Sequence, residues 1–206
     1  MAQRTTNIYR LVTLPAFYGA VQKLLGADAA RTRFIEEMIR PEAGLRFLDC
    51  GCGPASLFPY LPDLDYTGID LNPEHIAHAI EKYGDKGRFI VGDVTQNVVG
   101  LTAPFDLVMV SALLHHLGDK EARTLLSRLV SLTEPGGRIV TMDSIWLPRQ
   151  NPIAWLFNKL DSGLNVRTAE GYLSLVEGLP VAVETTLYRD FFRIPYDHFC
   201  MTLRRL

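Results

Sequence analysis

Two adjacent histidines, His115 and His116, and three aspartates that each close a short apolar run, Asp49, Asp70 and Asp93, are the residues of this chain best suited to chemistry. An imidazole titrates at a pKa of about 6.5, close to working pH, so a histidine can take a proton from a hydroxyl, a protonated amine or an acidic carbon. A carboxylate can hold a ligand's ammonium or accept from its hydroxyls. Between Phe47 and Ala55 the chain reads Phe-Leu-Asp-Cys-Gly-Cys-Gly-Pro-Ala. This pattern predicts a strand running into a glycine turn, with a helix from Pro54 to Tyr60 opening directly after it. Gly51 and Gly53 let the backbone approach a ligand with no Cβ in the way. The N-terminus of a following helix would suit a carboxylate or phosphate. A lone G-x-G turn describes an ordinary tight strand-to-helix connection equally well.

The aspartates sharpen the reading. Asp49 precedes the turn, where a carboxylate would repel a dinucleotide's pyrophosphate and welcome an ammonium. Asp70 ends the next strand about 20 residues further on, the spacing at which an acidic residue takes both hydroxyls of a ribose. Leu71 would then lie against an adenine, and Asp93, followed by Val94, can accept from the adenine amino group. Ser111 opens the segment Ser-Ala-Leu-Leu-His-His-Leu, which leaves the fourth strand on the same side. Three successive acidic strand ends point to the carboxyl edge of an α/β sheet, where such sheets bind ligands.

These residues need a scaffold of alternating elements. Strands are predicted at Arg46–Cys50, Asp65–Asp70, Gly87–Gly92, Phe105–Ser111 and Gly137–Asp143. Helices are predicted at Pro54–Tyr60, Pro73–Tyr83 and Lys120–Leu132. This alternation implies parallel strands joined by right-handed crossovers. Upstream, Ala16–Leu25 and a second helix capped by Asp28 and ended by Pro41 read as an N-terminal helical cap over 1–42. The core spans 43–143. Residues 144–206 contain an aperiodic stretch from Ile145 to Asn165, a helix at Thr168–Glu177 and closing strands at Val181–Tyr188 and Phe199–Arg205. Length favours a single domain over 1–206.

Composition narrows the classes. The chain has 48% hydrophobic and 21% charged residues and a formal charge of −2. It carries no electrostatic footprint for nucleic acid. No stretch reaches the length of a membrane span, and Pro15, Gln22 and Lys23 spoil a signal-peptide reading of the N-terminus. Three cysteines, Cys50, Cys52 and Cys200, make a poor disulfide framework and suit a reducing cytoplasm. They offer no zinc pattern, and with scattered histidines no metal site is expected.

Taken in order, the segments FLDCGCGPA, YTGIDLNPEHI, GRFIVGDV, FDLVMVSALLHHLGD and LTEPGGRIVTMD resemble the motifs of class I S-adenosylmethionine-dependent methyltransferases. The tail is similar to a bacterial small-molecule subgroup. The resemblance implies a Rossmann-like, seven-stranded, mostly parallel sheet with an antiparallel last strand and helices on both faces. It implies S-adenosyl-L-methionine as cofactor, bound by Asp49, Gly51, Gly53, Asp70, Leu71, Asp93, Val94 and Ser111, with S-adenosyl-L-homocysteine as product. It also implies in-line methyl transfer to oxygen, nitrogen or carbon, with His115, or else His116, as base. The alternative for these histidines is packing or capping of the next helix.

The chain departs from the family at Ala55, where glycine is frequent, and at Ser162 and Leu164, where arginines are expected. A small-molecule acceptor is expected, enclosed by both ends of the chain, with Tyr18, Tyr196 and His198 at the acceptor and Trp146, Trp155, Phe157, Phe191 and Phe192 as an aromatic wall. Competing readings are a non-catalytic cofactor-binding module and an NAD-dependent reductase. The oligomeric state is left open.

Overall fold

The computed structural model describes residues 26–206 apart from 97, 103 and 162. The Ala16–Leu25 helix and Tyr18 lie outside the described residues. In chain order the elements are α1 (Ala27–Phe34), β1 (Arg46–Cys50), β2 (Asp65–Asp70), α2 (Pro73–Tyr83), β3 (Arg88–Val91), β4 (Phe105–Ser111), α3 (Asp119–Leu132), β5 (Thr133–Ser144), α4 (Pro152–Leu160), α5 (Ala169–Ser174), β6 (Val181–Tyr188) and β7 (His198–Arg205).

The seven strands form one sheet in the order β3-β2-β1-β4-β5-β7-β6. β1 to β5 pair in parallel, and β7 is antiparallel to both β5 and β6. The expected sheet with its antiparallel last strand is therefore present. Strand order reverses between β1 and β4, which opens a crevice at the carboxyl ends of these two strands.

Side chains alternate across the sheet because successive residues of a strand face opposite ways. Leu48, Val108, Val110, Ile139 and Met201 face one apolar layer, which α3 covers with Ala122, Leu125, Leu126 and Leu129. Phe47, Leu107, Met109, Val140 and Cys200 face the other, covered by Ala30 and Phe34 of α1 and by Ile35, Met38 and Ile39. Helices thus lie on both faces. No helix among the described residues is long and apolar enough to cross a membrane.

Three local expectations need correction. Pro54–Tyr60 is not an α-helix; it is a series of turns ending in a single 3₁₀ turn at Phe58–Tyr60. Ala55 adopts a left-handed φ of 54°, which interrupts a right-handed helix, and Pro59 brings no amide donor. The helix N-terminus expected beside the glycine turn is therefore not formed. Asp28 does not cap α1: Gly26 is the cap residue, and the Asp28 carboxylate instead accepts from Arg31 and from the Tyr60 hydroxyl. The stretch from Ile145 to Asn165 contains α4, capped by the Asn151 side chain, which accepts from the Ile153 amide at 2.9 Å.

Candidate active site

β1 delivers Asp49 and Cys50 to the crevice, and the chain then turns at Gly51 (φ 77°) and Gly53 (φ 53°). The Gly51 and Cys52 amides both donate to the Ile69 carbonyl, at 2.8 and 3.1 Å, which ties the turn to β2. Asp70, at the end of β2, accepts from the Gly53 amide (2.9 Å) on one oxygen and from the Asn72 amide (2.8 Å) on the other. It clamps the first two strand-end loops together and keeps lone pairs for a ligand. Asp93 accepts from the amide and hydroxyl of Thr95, at 2.9 and 2.7 Å.

Gly51, Gly53, Asp70, Leu71, Asp93, Val94 and Ser111 line one groove of about 1020 Å³ across the carboxyl edge. Leu71 is 46% exposed there, an apolar platform. A Cβ on Gly53 would stand in open groove, with only His75 Nδ1 within 4 Å. Asp49 is placed differently from the other seven expected contacts. It lies beneath the groove, 3% exposed, and accepts from the Tyr66 hydroxyl at 2.8 Å. Burial raises its pKa to about 7 against the Tyr66 hydrogen bond, which lowers it, with the charge of Asp70 raising it further. Burial likewise pushes the thiols of Cys50, Cys52 and Cys200 well above the usual range, and all three are buried and free.

A second chamber, of about 390 Å³, adjoins the groove. Ala30, Arg31 and Phe34 of α1 line it, with Asp143, Asp161, Phe191, Phe192, Tyr196 and His198. Ser111, Ala112 and His116 belong to both chambers, whereas His115 faces the second one. Of the expected acceptor residues, Tyr196 and His198 do meet here, with ring centroids 4.6 Å apart. Burial depresses the His198 pKa to about 4. The aromatic wall is smaller than expected. Phe191 and Phe192 line the chamber, but Trp146, Trp155 and Phe157 do not. Trp155 is half exposed on α4, and Phe157 packs behind Tyr196 with ring centroids 5.6 Å apart.

At the junction the chain makes a 3₁₀ turn, Leu114–His116. Arg167, itself buried, holds it: its guanidinium donates to the carbonyls of Leu114 (2.9 Å) and Leu117 (2.7 Å) and to Asp119. The turn directs His115 inward, 4% exposed, between two carboxylates. Nδ1 lies 2.7 Å from Asp143 Oδ1, and Nε2 lies 3.4 Å from Asp161 Oδ1. Burial works against a charge on this ring, but the two aspartates outweigh it and raise its pKa to about 9. His116 is shifted down, by burial and by the charge of His115. Asp161 also accepts from the Gly163 amide (2.6 Å) and the Tyr196 hydroxyl (3.1 Å).

Asp143 and Asp161 are missing from the sequence-based site. Asp143 had a usable signal, because it stands near the end of β5 as Asp49, Asp70 and Asp93 stand near theirs. Asp161, at the end of α4, had none.

Residues 47–137 match the family described as methyltransferase domain. The carboxy-S-adenosyl-L-methionine synthase of Chromohalobacter salexigens is 27% identical over 183 residues, which cover 84% of this chain and 63% of the synthase. The chain therefore spans less than two thirds of that relative's length. Among solved structures, the pyocyanin biosynthetic protein PhzM superposes with a TM-score of 0.73 at 17% identity, over 98% of this chain and 62% of that one. A TehB-like methyltransferase from Corynebacterium glutamicum gives 0.66 at 18%, over 92% and 96%. Residues 47–137 are thus similar to methyltransferase domains, and the seven-stranded sheet has the fold of these solved structures.

The groove fits the cofactor of S-adenosylmethionine-dependent methyltransferases in its chemistry. It offers close backbone at Gly53, carboxylates at Asp70 and Asp93 for hydroxyl and amino donors, and Leu71 as an apolar face. The shared wall of Ser111, Ala112 and His116 lies at the end of β4, where the groove opens into the second chamber.

Proposed function

We propose that this protein is a methyltransferase that moves the methyl group of S-adenosylmethionine to a small molecule bound in the 390 Å³ chamber. The observation that carries this reading is the common wall: a cofactor lying in the groove and an acceptor lying in the chamber meet at Ser111, Ala112 and His116. The chamber is mostly apolar, with a few convergent polar groups, the composition of a small-molecule site. In-line alignment of two bound reactants can supply on the order of 7–11 kcal/mol of the barrier reduction. The cofactor supplies the electrophilic methyl. The protein aligns the nucleophile, excludes water and places the acceptor against the His115–His116–Asp161 wall.

The test is release of S-adenosylhomocysteine with a panel of small hydroxyl and amino compounds. His115→Ala is expected to lower turnover by about two to four powers of ten while cofactor affinity holds. Cofactor binding without product from any acceptor would return the protein to the class of binding modules.

A further inference from the structure

The wall between the two chambers has the composition of a metal centre. His115, His116 and Asp161 each offer one ligand atom, and these atoms lie within 4.8 Å of one another. The two imidazoles lie side by side with centroids 4.3 Å apart. All three side chains line the acceptor chamber.

We propose that His115 Nε2, His116 and Asp161 bind a divalent transition-metal ion, with Asp143 orienting His115 from behind. Four observations carry the assignment. Two imidazoles and one carboxylate on one side of an ion, with the other side open, is a recurrent set for first-row divalent metals. Asp143 Oδ1 lies 2.7 Å from Nδ1 and so leaves Nε2 to point at Asp161. A carboxylate behind the ring in this way is the usual partner of a metal-bound histidine. His116 Nδ1 is buried and has no hydrogen-bond partner among the described residues. Asp161 is held in place by the Gly163 amide and the Tyr196 hydroxyl. Ligand bonds of about 2.0–2.2 Å need the three atoms to draw in by roughly 1 Å on binding the ion.

The open side of the ion faces the chamber, so its ligand there is an oxygen of the acceptor. This inference rests on the methyl-transfer reading for its chemistry and assigns the acceptor class, a hydroxyl compound. Bound to the ion, the hydroxyl ionises near neutral pH and its proton passes to water. An oxygen lone pair then forms the new O–CH₃ bond. The S–CH₃ bond breaks, its electron pair stays on sulfur as the neutral thioether, and the metal's oxidation state does not change.

The experiment is calorimetric titration of chelator-treated protein, free of any histidine tag, with Zn²⁺ and separately with Mn²⁺. One ion per chain is expected. Asp143→Asn should weaken binding by roughly 10–100-fold, and His116→Gln and Asp161→Asn should weaken it by at least about tenfold, each with an unchanged circular dichroism spectrum. The exposed His78→Ala should bind as the parent does. Absence of saturable binding, or equal affinity in all variants, overturns the site. The two readings fail separately. Undiminished S-adenosylhomocysteine release in excess chelator discards the metal and keeps methyl transfer. Stoichiometric metal binding without product from any hydroxyl or amino compound keeps the site and discards methyl transfer.

Discussion

One oxygen of Asp143 faces His115 twice: Oδ1 accepts from the backbone amide at 3.1 Å and lies 2.7 Å from ring Nδ1. The end of β5 thereby sets both where the His115 backbone turns and which way its ring points. Asp143→Ala removes the partner of two buried donors. Each buried group left unsatisfied costs about 1–3 kcal/mol, so the melting temperature is expected to fall by several degrees. A melting curve within one degree of the parent would show that water or another group replaces the carboxylate.

Gly163 presses against the same ring. A Cβ at this position would collide with His115 Cδ2 and come within 2.8 Å of its carbonyl oxygen. Gly163→Ala must therefore displace His115 or the loop after α4. Overpacking of this kind costs about 1–3 kcal/mol. Thermal denaturation should show that loss, while calorimetry with S-adenosylhomocysteine, whose proposed groove lies on the other side of His116, should be nearly unchanged. Parent-like stability would mean that the loop yields without strain.

Asp49 makes the stability of the ligand-free protein depend on pH in the opposite direction from an ion-paired aspartate. Its pKa is raised to about 7 in the fold, mainly by burial, from 3.8. Between those values the folded state keeps a proton that the unfolded chain has lost, so this group's contribution to stability falls as pH rises from about 4 to 7. Asparagine imitates the protonated form. Asp49→Asn should therefore gain stability over the parent at pH 8, by on the order of 1 kcal/mol or more, and match it near pH 4. A difference in melting temperature that does not change with pH would refute the assignment.

Asp70 joins the Gly53 and Asn72 amides across the groove. Asp70→Ala removes this clamp together with the proposed acceptor for the ribose hydroxyls. Loss of a charged hydrogen-bonding partner costs about 1.5–3 kcal/mol, so the dissociation constant for S-adenosylhomocysteine should rise by roughly 10–100-fold. Unchanged affinity in a folded variant would remove Asp70 from the cofactor site.

The sequence by itself determined the sheet and the groove. β1, β2 and β4 match their expected limits, β3 is one residue shorter at each end and α3 starts one residue earlier, because buried strands and amphipathic helices are written in local hydrophobic periodicity. Asp70, Leu71, Asp93 and Ser111 reach one groove because each stands at the end of a parallel strand, and parallel strands in one sheet end on one edge.

What local pattern did not encode was decided by tertiary contact. Ala55 took a left-handed backbone, which replaced the expected helix after Gly53 with turns. Asp49 sank below the groove because Tyr66, on the neighbouring strand, offers its hydroxyl there. Asp161 comes to His115 from 46 positions along the chain. It arrives through the placement of α4 and the close fit of Gly163, contacts between segments far apart in sequence that no periodicity records.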